Sequence, residues 1–295
     1  MKLILRKDYD AMSTFAANLI CNRIKNYEKN RKESGKNFFV LGLPTGSTPL
    51  GTYKRLIEMH KKGDLSFKHV ITFNMDEYVG IPRDDAQSYH TFMFNNFFQH
   101  IDIEPHNVHI LDGNAPDLRA ECAFYELKIL EVGGIDLFLG GIGANGHVAF
   151  NEPGSSLRSR TRLQALTRET IAANSRFFDG ETIKVPTHAL TVGIATIMDA
   201  NEVIILANGE HKARAIRDAI EGGISHMCTA SAFQNHTNTM FIVDEPAARK
   251  LRVETLRIFA DAARFDNEDN SGTEFNMNSS ESRLATQLST HVIDN

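Results

Sequence analysis

The chain is short of cysteine, of excess positive charge and of long apolar runs, and each shortage removes a class of protein. Its three cysteines, Cys21, Cys122 and Cys228, lie far apart in 295 residues. They form neither a disulfide framework nor a metal-ligand spacing, which suits a reducing compartment. Lysine and arginine number 32 against 37 aspartates and glutamates, a formal net charge of −5. That balance argues against a nucleic-acid partner, which would need a basic face for phosphates. No apolar run approaches the ~20 residues that span a bilayer, so no membrane partner is expected. The opening MKLILRKDYD is too short and too soon charged for a signal peptide. The expectation is a cytoplasmic protein.

What is present is an alternation of short apolar runs with amphipathic stretches. Strands are expected at 38–41, 70–73, 108–111, 135–139, 190–192, 203–206 and 241–243, with KLIL opening the chain. Helices are expected at 9–27, 49–60, 88–98, 118–131 and 212–220, and LQALTRETIAANSRFF also reads as helix. This β/α pattern implies a single doubly wound, mostly parallel sheet with helices on both faces, a Rossmann-like α/β fold. No internal repeat or linker divides residues 1–265, which are read as one domain. Residues 266–295 are rich in Asn, Ser, Asp and Glu and read as a disordered polar tail. The alternative there is a short helix at 282–288 docked on a neighbouring subunit.

In open α/β sheets ligands bind beyond the carboxyl ends of the strands, and three strand-end loops hold useful chemistry. LPTGSTP sets Gly46, Ser47 and Thr48 before Pro49, with Thr48 expected as a helix cap and Pro49 as the first helical residue. Free N–H groups, two hydroxyls and the helix dipole suit a phosphate. The lysine of a P-loop is missing, so no nucleotide is expected there. FNMDEY places Asp76 and Glu77 side by side. One reading makes an acid here a helix cap, the other a base that takes a proton from carbon. GIGANGHVAFNEP carries His147 and Glu152. Its GIGANG fits G-x-G-x-x-G, but Pro153 and Gly154 interrupt the region and no strand ending in an acid follows, against a dinucleotide site.

Taken together, LGLPTGSTPLGTYK, ITFNMDEYVGIP, SYHTFMFNNFF, GHVAFNEPGSSL, SRTR, ANSRFF, ALTVG and HKARAI resemble glucosamine-6-phosphate deaminases over residues 1 to about 259. The resemblance implies conversion of glucosamine 6-phosphate and water to fructose 6-phosphate and ammonium, without metal or organic cofactor. It implies that Asp76 carries the proton from carbon 2 to carbon 1. It gives His147 the opening of the pyranose ring, with Glu152 as its carboxylate. Gly46, Ser47 and Thr48 would hold the phosphate with Arg176 and Lys212, and Tyr89 would sit in a mobile lid. It also implies a homo-oligomer, commonly a hexamer.

This chain departs from the family pattern in two places. Asn145 stands where the family has an aspartate, which implies a loss of orientation and charge behind His147. The expected result is a slowed enzyme. Bacterial members bind an activator, N-acetylglucosamine 6-phosphate, between subunits. Here Ser155 and Arg162 of that site remain, but Gln164, Ala165 and Ile258 replace a lysine, a threonine and a tyrosine, which implies little or no activation. Cys228 replaces a tryptophan. Competing readings are a sugar-phosphate sensor that has lost turnover and a related sugar-phosphate lactonase. A gluconolactone phosphate would be the lactonase's substrate.

Overall fold

The computed structural model describes residues 1–269. The chain begins with β1 (Lys2–Arg6), α1 (Tyr9–Ser34), β2 (Phe39–Leu43), α2 (Leu50–Lys61), β3 (Val70–Asn74) and β4 (Asp76–Tyr78). It continues through α3 (Tyr89–Asn96), β5 (Val108–His109), α4 (Leu118–Glu131), β6 (Leu137–Gly141), β7 (Arg162–Ala165) and α5 (Arg168–Asn174). It ends with β8 (His188–Thr191), α6 (Ile194–Met198), β9 (Glu202–Ala207), α7 (Ala213–Ile220), β10 (Thr239–Asp244), α8 (Glu245–Ala248) and α9 (Val253–Asp269). Residues 270–295, with most of the expected tail and the 282–288 alternative, lie outside the described residues. The first four residues of that expected tail belong to α9.

The apolar runs pair as one parallel sheet in the order β1-β10-β9-β6-β2-β3-β5. Its central strands are buried on both faces, so they read as near-continuous apolar runs such as FVLGL and EVIILA. Alternate residues still separate the faces. Val40, Phe138, Ile205 and Phe241 join one core, and Leu41, Leu139, Ile204 and Ile242 join the other. The chain steps outward from β2 to β3 and β5, then returns to lay β6 on the other side of β2. The crevice between β2 and β6 is therefore the topological switch point, where such sheets bind ligands.

Three local readings change. The first helix runs to Ser34, well past its last apolar repeat, and stops where Gly35 takes a left-handed conformation at φ 69°. Its polar final turns carry no periodic signal. The stretch LQALTRETIAANSRFF is not all helix: β7 covers its start, and α5 begins only after Thr167, which caps it by accepting the Thr170 N–H at 3.2 Å. Finally, a small antiparallel sheet, β4-β8-β7, stands beside the large one. Its Tyr78 and Ala189 join Ile81, Phe150, Leu166, Phe178 and Val185 in an apolar cluster apart from the two main cores. Only Met75 separates β3 from β4, so Asp76 emerges at the seam between the two sheets.

Candidate active site

Four adjacent strands, β9, β6, β2 and β3, end at one cavity of about 1080 Å³. Gly46, Ser47, Thr48, Asp76, Tyr89, Asn145, His147, Arg176 and Lys212 all line it. Glu152 does not: it is 2% exposed and stands behind the histidine. Ser155 and Arg162 lie outside the lining.

The neighbouring acids Asp76 and Glu77 divide their work as the alternation of a strand requires. Glu77 turns to α3 and accepts the backbone N–H groups of Tyr89 (2.9 Å), His90 (2.8 Å) and Tyr78 (2.9 Å). It is the cap of α3's first turn, alongside Ser88. Asp76 turns to the cavity, and among the described residues no donor reaches its carboxylate. Burial, with the Glu77 charge beside it, pushes the Asp76 carboxyl up to about 8. A carboxylate this poorly solvated is a strong base towards a weakly acidic C–H proton.

His147 sits on a tight turn after β6. Gly143 accepts the Gly146 N–H at 3.0 Å, and the Gly143 N–H donates back to the His147 carbonyl at 2.8 Å. The imidazole lies flat on Gly143: a Cβ at that position would stand 2.3–2.5 Å from three ring atoms. Only glycine allows this ring position. Gly146, at φ 87°, presses on Cys228, and a Cβ there would meet its sulfur at 2.4 Å. Cys228 thus packs the underside of the turn. His147 Nδ1 faces Glu152 Oε2 at 3.4 Å, within ion-pair range but without hydrogen-bond alignment, and neither atom has another partner. Burial alone would raise the Glu152 carboxyl. The His147 contact, the Thr170 hydroxyl and the Thr167 N–H outweigh it and hold the group at about 2. An anionic Glu152 favours the proton on Nδ1, which leaves Nε2 as the acceptor facing the cavity.

Asn145 has a different place from the one expected of it. Its side-chain oxygen accepts the His147 backbone N–H at 3.3 Å, and among the described residues no hydrogen bond joins it to the imidazole. The turn directs its amide to the backbone two residues on, as Asn commonly does. The ring is oriented by Glu152 and Gly143 instead.

In the same cavity, the 44–49 loop after β2 presents a cradle suited to an anion. Thr48 does not cap α2. Pro49 occupies the cap position, and the Thr48 hydroxyl donates to Asn208 Oδ1 at 2.9 Å. That bond ties the loop after β2 to the loop after β9, which carries Lys212. Tyr9 donates to the Ser47 carbonyl at 3.0 Å and accepts the Gly51 N–H at 2.8 Å, while Tyr53 donates to the Pro44 carbonyl. No sequence spacing pointed to Tyr9 or Asn208, because each acts from a distant segment, whereas Tyr53 stands nine residues on from its partner Pro44. Arg176 enters from the 3₁₀ turn Ser175–Phe177 that follows α5. Burial, with Arg176 nearby, lowers the Lys212 ammonium to about 8. Two cations lining one cavity, half-buried Lys212 and exposed Arg176, favour a multiply charged anion.

Tyr89 stacks on Phe150 with rings 6.1 Å apart and 8° from parallel, and donates to the Tyr78 hydroxyl at 3.3 Å. Arg162 is satisfied within the chain, donating to Asn151 Oδ1 (2.8 Å), Ser155 Oγ (3.1 Å) and Gln164 Oε1 (2.9 Å). Ile258 is exposed on α9. No helix follows the GIGANG glycines directly; the next element is β7, so the phosphate-binding helix of a dinucleotide fold is missing there. Among the described residues no three His, Cys, Asp or Glu side chains converge as a metal site, and no helix is long and apolar enough to cross a membrane.

A buried carboxylate and an imidazole paired with an acid, lining one cavity with an anion cradle at the switch point of a doubly wound sheet, suit acid–base chemistry on a small anionic substrate. The chain belongs to the family of glucosamine-6-phosphate isomerases and 6-phosphogluconolactonases, whose model matches residues 7–242. It is 61% identical over 259 residues to glucosamine-6-phosphate deaminase 2 of Homo sapiens, covering 88% of this chain and 92% of that one. Glucosamine-6-phosphate deaminase 1 of Homo sapiens is also 61% identical over 259 residues, covering 88% of each. A solved monomeric glucosamine-6-phosphate deaminase superposes with a TM-score of 0.80 at 42% identity, over 85% of this chain and all of that one. The hexamer implied by resemblance is therefore not common to all such relatives. The 6-phosphogluconolactonase of Thermotoga maritima shares the fold, with a TM-score of 0.62 at 20% identity over 83% of this chain and 99% of that one.

Proposed function

We infer that the protein isomerises and deaminates glucosamine 6-phosphate, releasing fructose 6-phosphate and ammonium. The observation that carries this reading is the placement of Asp76 and His147 beyond the ends of β3 and β6, the two neighbours of β2, with the anion cradle of the loop after β2 lining the same cavity. The phosphate rests on the Gly46–Ser47–Thr48 turn and on Arg176 and Lys212. Its binding energy, remote from the reacting carbons, orients them. His147 Nε2 takes the proton of the anomeric hydroxyl and returns it to the ring oxygen, opening the pyranose. Asp76 then removes the proton from carbon 2, giving an enolamine, and delivers it to carbon 1. The carbon 2 imine that results takes up water and expels ammonia, which leaves as ammonium.

Ammonium and fructose 6-phosphate should appear together, in equal amounts, when fresh protein meets glucosamine 6-phosphate. Hydrolysis of 6-phosphogluconolactone without ammonium release from the amino sugar would overturn the assignment in favour of the lactonase.

Two further expectations belong to the same reading. Lys212 binds the phosphate as a cation, so KM should stay level below pH 8 and rise above it by up to about tenfold per pH unit. Lys212→Arg, which keeps its charge, should flatten that rise; an unchanged slope in the variant would assign it elsewhere. Arg162 gives three of its donors to Asn151, Ser155 and Gln164, and Gln164, Ala165 and Ile258 stand where the family has a lysine, a threonine and a tyrosine. N-acetylglucosamine 6-phosphate should leave half-saturation unchanged, since an activator needs different affinities for two states. A several-fold drop in half-saturation would show that those contacts open to admit it.

A further inference from the structure

The two oxygens of Glu152 meet different parts of the molecule. Oε2 faces the imidazole of His147, as described. Oε1 accepts from the Thr170 hydroxyl, from the Thr167 hydroxyl at 3.2 Å and, at the limit of hydrogen-bond range, from the Thr167 N–H at 3.5 Å. Both threonines open α5, and Thr170 is buried with Glu152. Thr167 already caps the helix by accepting the Thr170 N–H, so the Thr170 hydroxyl is not needed as a cap and is given to the carboxylate. At its other end α5 passes directly into the turn that carries Arg176. One short helix therefore grips the histidine's carboxylate at its start and presents a phosphate-binding cation at its finish. The Nδ1–Oε2 contact at 3.4 Å, with both atoms otherwise unpartnered, is an interaction still to be tightened.

We propose that Thr170 is a positioning residue for the reaction: its hydroxyl fixes Glu152 so that Oε2 holds the proton on His147 Nδ1, and α5 transmits the seating of the phosphate on Arg176 to that contact. This rests on the deaminase reading given above. It makes ring opening respond to the far end of the substrate. The imidazole would be fully oriented only when the phosphate is in place.

The test compares Thr170→Val, which keeps the shape and loses the hydroxyl, with Thr170→Ser, which keeps the hydroxyl. Thr170→Val should lower kcat about 10- to 100-fold, the range expected for a lost hydrogen bond to a charged group, with KM changed less than about threefold. Thr170→Ser should recover most of the loss. Nitrogen-15 NMR of labelled histidine should show His147 moving from the Nδ1–H tautomer to a mixture in Thr170→Val. Inorganic phosphate should shift the His147 signal in the wild type and not in Thr170→Val. A valine variant with kcat within about twofold of wild type, or with an unchanged tautomer, overturns the positioning role. A phosphate response that survives in Thr170→Val overturns the coupling through α5. Absence of turnover in the wild type would sink the deaminase reading instead, and the two NMR comparisons would still decide the role of Thr170.

Discussion

Asp76→Asn is expected to remove turnover and raise thermal stability together. Loss of a positioned base costs about 10²–10⁴-fold in rate. The stability gain follows from linkage. Burial holds the Asp76 proton up to about pH 8 in the folded chain, whereas the ordinary value is 3.8. Between those limits the folded state binds more protons than the unfolded one, so this residue makes stability fall as pH rises through the window and adds no further slope above it. Asparagine fills the same space with no charge to desolvate. The variant's advantage should be absent at about pH 4, grow from pH 5 to 8 and then level off. A gain of about 2 kcal/mol at pH 8 would raise Tm by about 3 °C in a chain of this size. Melting curves across that range read the effect directly. Parallel Tm–pH curves for the two proteins would mean that Asp76 is not the strained group.

The second large effect separates the two residues that compete for the role of orienting His147. Glu152→Gln should lower kcat by about 10²–10³-fold, because a neutral amide no longer favours the Nδ1–H tautomer or stabilises the imidazolium. An aspartate-to-asparagine change behind a protease histidine costs about 10⁴-fold by that route. Asn145→Asp should alter kcat by less than about tenfold, because residue 145 meets the backbone of His147 and not its ring. Steady-state ammonium release from the two variants is sufficient. A gain of 10²-fold or more in Asn145→Asp would return the orienting role to position 145 and make the natural asparagine a disabling substitution.

The sequence showed the large sheet because strands buried on both faces are apolar almost throughout. It also showed the three loops that leave the carboxyl ends of β2, β3 and β6. The small sheet escaped notice for a physical reason: β4 and β7 are three and four residues long, too short for any periodicity to register. The choice between Asp76 and Glu77 could not be made from adjacency alone. It was settled by α3, whose N–H groups claim Glu77 from twelve and thirteen residues away. Tyr9 and Asn208 were invisible for a related reason, since they support the 44–49 loop through partners 38 and 160 residues distant. The GIGANG glycines drew attention as a nucleotide fingerprint, yet Gly143 is there to give the imidazole room.

The turn from Gly143 to His147 also bears on how the protein ages. An asparagine followed by glycine can lose its side-chain ammonia when the next peptide nitrogen swings onto the side-chain carbon and closes a succinimide. Here the Gly146 nitrogen is held by the Gly143 carbonyl, and the Asn145 oxygen is held by the His147 N–H. The Gly146 bond must break and the side chain must turn before the ring can close. The folded turn therefore slows deamidation relative to the unfolded chain and helps keep the residue beside the histidine neutral.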